Sequence, residues 1–116
     1  MRVLFVVFFT TLFLGGCKTT EPSYYYGSYQ TAVYSYFKAS EVGASQQIEM
    51  LEGVIEQARG KGKPVAPGVH AHLGMLYFNT GNASLGQVNF DIEKTLFPES
   101  AAYLDFLMNK NASDKI

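Results

Sequence analysis

The side chains in this sequence able to do chemistry are two histidines, one thiol, a pair of glutamates and a short basic loop. His70 and His72 are the only histidines. On a helix, residues two apart project about 200° from one another, so the pair cannot share a metal, which needs a spacing nearer four. Glu52 and Glu56 lie one turn apart and could act as a carboxylate pair. Both belong to the polar face of a regular amphipathic helix, where solvation accounts for them. Arg59-Gly60-Lys61-Gly62-Lys63-Pro64 offers charge and glycine to a phosphate, but it lacks the P-loop spacing and no strand precedes it. It also follows a helix, whose carboxyl end repels anions. No Ser, His and acid arrangement is legible. These types and spacings point to binding rather than catalysis: no enzyme activity, catalytic residue, metal site or cofactor is expected.

With 116 residues, 47% of them hydrophobic, the chain has room for one small domain. Its formal net charge of -1 argues against nucleic acid, which requires a basic excess on one face. Cys17 is the single cysteine, so no internal disulfide forms and stability must come from packing. There is no Trp, and 8 Tyr and 9 Phe supply the large apolar areas instead.

The elements that must position these residues are all helical. Tyr29 to Lys38 predicts a first helix despite the modest propensity of its aromatic and β-branched residues. Ser40 to Ser45 suits a connection, with Ser45 as N-cap of the next helix. There Ile48, Leu51, Ile55 and Ala58 recur at steps of three and four, with Gln47, Glu49, Glu52 and Glu56 opposite and Arg59 at the carboxyl end. Pro64 and Pro67 stiffen the approach to a third helix. Gly81 ends that helix and Pro98 stops the fourth. Glu99 to Met108 then predicts a closing helix that turns Tyr103, Phe106 and Leu107 onto the stack, and 110–116 is polar enough to be a disordered tail.

Leu73-Gly74, Tyr77, Phe90 and Pro98 fall at the distances that make residues 67–100 resemble one tetratricopeptide repeat, whose period is about 34 residues. The physical reason for such a pattern is close approach of two antiparallel helices at Gly74, with Leu73, Tyr77 and Phe90 filling the space beside it. His70 stands where the repeat has Trp, Gly86 where it has Ala, and Glu93 where it has a second Ala. Gly27, Tyr29, Ala32 and Tyr36 echo Gly81, Ala83, Gly86 and Phe90 at a constant offset. The resemblance implies an all-α, short helical-hairpin stack of about five helices over 24–109, with a C-terminal capping helix.

Arg2, the apolar run from Val3 to Leu14, and Leu14-Gly15-Gly16-Cys17 resemble the signal peptide and lipobox of bacterial lipoproteins. That resemblance implies a signal peptide over 1–16 and lipidation of Cys17, whose several acyl chains would make the membrane anchor permanent. Lys18, where an Asp would mark inner-membrane retention, points to the periplasmic leaflet of the outer membrane. Residues 17–23 then form a lipidated tether that holds the domain within about 20 Å of the lipid at roughly 3.3 Å per residue.

The tyrosines from Tyr24 to Tyr36, the basic glycine loop from Gly60 to Pro64, and the closing Pro98-Glu99-Ser100 together resemble an uncharacterised family of small Gram-negative lipoproteins. Its members are often encoded beside lipoproteins similar to the curli secretion channel. The resemblance implies a non-enzymatic adaptor of an envelope assembly or secretion system, with such a channel-like lipoprotein as a possible partner. By the spacing from Gly74, Ala71, Met75, Phe78 and Asn79 would line the concave face and bind that partner, while Val69, Leu73, Leu76 and Tyr77 face the core. The alternative is a binder of peptidoglycan or another glycan that uses the N-terminal tyrosines as stacking platforms.

Overall fold

Among the described residues the chain is ordered as five α-helices and one 3-10 turn: α1 (Tyr29–Phe37), α2 (Ala44–Gly60), α3 (Val69–Asn79), α4 (Ala83–Leu96), the turn Pro98–Ser100, and α5 (Ala101–Ser113). The computed structural model describes residue 1, residues 22–38 and residues 42–113. The signal peptide, the lipobox, Cys17 and most of the tether lie outside the described residues. Among the described residues there is no strand, only an isolated parallel bridge between Tyr25 and Val65.

Two of the helix ends are set by glycine in the left-handed conformation. Gly81, at φ 86, lets its own N–H donate to Phe78 O and the Asn82 N–H reach back to Tyr77 O at 2.8 Å. This paired closure satisfies carbonyls that the end of α3 would otherwise leave open. Asn82 then starts α4, its Oδ1 accepting from the Leu85 N–H at 3.3 Å. Gly62, at φ 62, repeats the closure at the end of α2, with Lys63 N–H donating to Ala58 O. The basic loop is therefore first of all a helix stop.

Core residues come from every segment. Leu51 and Val54 of α2, Val69, Leu73 and Leu76 of α3, Ala32 of α1 and the linker residue Ala66 form one buried cluster, with Tyr25, Tyr29, Tyr36 and Ile48 packed against it. Burying one such large side chain contributes about 1.5–3 kcal/mol, against a net stability of about 5–15 kcal/mol for a domain. The chain start is held to the α2–α3 linker by two backbone bonds, Tyr25 N–H to Pro64 O and Ala66 N–H to Tyr25 O. Tyr24 lies edge-on to Phe97, ring centroids 6.0 Å apart.

The closest helix contact lies between α3 and α4. A Cβ added at Gly74 would stand 2.5 Å from Phe90 Cδ1 and 2.9 Å from Gly86 O. One added at Gly86 would stand 2.7 Å from Phe78 Cδ2. Gly74, which matches the repeat, and Gly86, which departs from its Ala, thus serve one seam. Phe90 is fully buried in it.

Four local expectations are corrected. Ser45 is not the N-cap: α2 begins at Ala44 after an extended Gly43, and no side chain caps it. Gln47, expected on the polar face, is buried, and its Nε2 donates to Val42 O at 3.1 Å. In α5 the residue that reaches the core is Leu104, fully buried, while Tyr103 and Phe106 turn outward at 64% and 61% exposure. The helix also continues to Ser113, so 110–113 are helical rather than tail.

Candidate binding groove

Glu93 begins the construction of the site. It occupies a position where a small residue was expected and is nearly fully buried. Its Oε1 accepts from the Gly68 N–H at 2.6 Å and its Oε2 from the Ala71 N–H at 3.3 Å. A carboxylate from α4 therefore caps the first turn of α3, satisfying free N–H groups and matching the positive end of the helix dipole. That fixes the register in which Ala71 and Met75, one turn apart, face outward.

On either side of this α3 surface stand α1 and α5. Val33, Tyr36 and Phe37 of α1, Ala71 and Met75 of α3, and Tyr103 and Leu107 of α5 line a cavity of about 220 Å³. Each helix contributes an apolar pair four residues apart: Val33 and Phe37, Ala71 and Met75, Tyr103 and Leu107. That spacing stacks two side chains on one helix face. Phe37 is 80% exposed and Tyr103 64% exposed. The groove is thus walled by apolar rings left in water.

Beneath the groove the aromatic packing is polarised. His72 is buried, with its ring edge-on to Tyr36 at 5.2 Å and to Tyr29 at 6.4 Å. Its Nε2 has no hydrogen-bond partner. Burial pushes the His72 pKa down, because the imidazolium would lose its hydration. The Tyr36 hydroxyl donates to Met75 Sδ at 3.8 Å, a weak bond that ties the wall to the floor. Burial, and then the charge of Glu93, push the Tyr29 pKa up.

His70 points the other way. Its Nδ1 lies 2.9 Å from Asn89 Oδ1, and Asn89 Nδ2 donates to Leu85 O at 2.9 Å. Because that second bond fixes the amide orientation, Nδ1 is the donor to Oδ1. The two histidines serve different helix faces, and among the described residues no group of three or more His, Cys, Asp or Glu side chains is placed to hold a metal. Glu52 accepts a hydrogen bond from the Tyr77 hydroxyl, which links α2 to α3 and pushes the Tyr77 pKa up to about 12. Glu52 thus bonds to a phenol rather than pairing with Glu56. Lys61 lies 5.2 Å over the Tyr25 ring.

Of the four residues expected on the concave face, Ala71 and Met75 line the groove. Phe78 does not: its ring packs edge-on against Phe90 at 5.2 Å and covers Gly86, in the α3–α4 seam. Asn79 is exposed at the end of α3, away from the groove. The walls went unread in the sequence, although the apolar pairs four apart in α1, α3 and α5 would have marked them.

Residues 23–107 match the family model described as a domain of unknown function (DUF4810), and the chain belongs to that family. The matched stretch runs from just before Tyr24 to Leu107, so every groove-lining residue falls inside it. No curated protein and no solved structure matches the chain. No helix among the described residues is long and apolar enough to cross a membrane.

Proposed function

We propose that this DUF4810 chain is a non-enzymatic adaptor of an envelope assembly or secretion system, which holds an apolar segment of a partner protein between α1 and α5. The observation that carries the reading is the groove itself: aromatic walls at Phe37 and Tyr103 and an apolar floor at Ala71 and Met75, with His72, whose Nε2 has no hydrogen-bond partner, beneath it. Exposed rings clustered round a concavity are what a protein-docking surface presents. In this reading α3 and α4 are a tetratricopeptide-like unit whose first helix faces the partner. The chain is anchored through acylated Cys17 in the periplasmic leaflet of the outer membrane, and a curli-secretion-channel-like lipoprotein is the partner class to try first.

The glycan reading has less support. Tyr24 lies against Phe97, the Tyr25 hydroxyl donates to Gln57, and Tyr29 and Tyr36 pack on the core. Those rings are held by the fold, which leaves few free to stack on a sugar. The test is capture from detergent-solubilised envelopes by tagged full-length chain, set beside co-sedimentation with sacculi. Met75→Glu should abolish capture of the channel-like lipoprotein while the helical circular dichroism stays intact. Sedimentation with sacculi, unaffected by Met75→Glu, would overturn the adaptor reading in favour of glycan.

A further inference from the structure

A second surface lies away from the groove, where α2 and α4 jointly line two cavities. Four apolar residues of α4, Leu85, Val88, Ile92 and Leu96, are exposed, Val88 at 51%. At 100° per residue they fall within one narrow stripe of the helix. Beside the stripe, a trough of about 580 Å³ opens between Ile92 and Leu96 of α4 and Ile55 of α2. Nothing among the described residues covers the stripe.

Charge along this face is ordered. At the Leu85 end the neighbouring α2 side chains are Glu52 and Glu56, with Arg59 shared between this end and the other. At the Leu96 end they are Arg59 and Lys63. Glu56 and Arg59 are exposed, and among the described residues neither takes part in an ion pair. The face therefore has an apolar centre, an acidic end and a basic end.

We infer that two copies of this chain associate through the α2–α4 face, with their α4 helices antiparallel about a two-fold axis. A two-fold axis brings one patch against itself, so a patch with opposite charges at its two ends is its own complement. Leu85 of one copy then enters the trough beside Leu96 of the other, and Glu56 of each copy meets Arg59 of its partner. The face is distinct from the α1–α5 groove, so self-association leaves that groove open.

Disulfide trapping of the full-length chain in envelopes tests this. Differently tagged Leu85→Cys and Leu96→Cys chains are co-expressed and oxidised, with the wild-type chain setting the background from Cys17. Both substituted positions are exposed, so the core is untouched. The mixed dimer should exceed either homodimer several-fold. Glu56→Arg or Arg59→Glu alone should lower that yield several-fold, and the two reversals in one chain should restore it. Homodimers equal to or above the mixed species, an adduct with a different protein, or no adduct above background would each overturn the inference.

Discussion

Gly74→Ala adds one carbon at the tightest point of the fold, and its effect can be worked out from the contacts around it. The new Cβ would lie 2.5 and 2.8 Å from two carbons of the Phe90 ring and 2.9 Å from Gly86 O. Phe90 is fully buried and the carbonyl belongs to a helix, so neither can yield without moving α4. Overpacking of this kind costs about 1–3 kcal/mol, while replacing a helical glycine returns about 0.5–1 kcal/mol. The net is a loss of up to about 2.5 kcal/mol, centred near 1 kcal/mol, or roughly 4–8 °C in melting temperature at that central value for a domain of this size. Gly74→Leu should lose more. Gly53→Ala, in the middle of α2, is the internal control. Its Cβ meets nothing nearer than Gln57 Nε2 at 4.0 Å, so it should gain about 0.5–1 kcal/mol. Urea unfolding followed by helical circular dichroism reads all three. If Gly74→Ala is as stable as wild type, α3 and α4 do not meet as described.

Three further outcomes are expected. The raised Tyr77 pKa means that the Glu52 bond is fully present below pH 10 and lost as pH climbs through about 12. Tyr77→Phe should lose about 1 kcal/mol at neutral pH, discounted for exposure, and flatten that alkaline decline in stability. The depressed His72 pKa makes neutral imidazole the folded form, so stability is complete above the ordinary value of 6.5 and falls as pH drops below it. His72→Phe should weaken this acid dependence in thermal melts recorded from pH 7 to pH 5. Cys17→Ser should leave a full-length precursor that takes up no labelled fatty acid, and normal acylation of that variant would end the lipoprotein reading.

What the sequence made legible was the local and periodic part. The spacing of Leu51 and Ala58, the stop at Gly81 and the block at Pro98 each depend on neighbours within a turn or two, and the structure has them where expected. Gly74 was readable because absence of a side chain in an apolar helix has few explanations. Glu93 was not, since its partners Gly68 and Ala71 lie more than twenty positions away and no periodicity announces a remote cap. The Tyr25–Val65 bridge was hidden for the same reason. On α5, Tyr103, Phe106 and Leu107 looked like the packing face because they are large. Leu104 packs instead, which leaves Tyr103 to wall the groove. Phe78 was misassigned by one helix face: the lack of a side chain at Gly86 draws its ring into the seam.

Site-specific photo-cross-linking in living cells puts the docking claim to its most direct test, with a benzophenone amino acid placed in turn at Phe37, at Tyr103 and at Gln46, an exposed α2 position outside the groove. The account predicts an adduct with the same envelope protein from Phe37 and Tyr103, none from Gln46, and loss of both adducts when Met75→Glu is added. Adducts of equal yield from all three positions, or adducts that survive Met75→Glu in a folded chain, would contradict it.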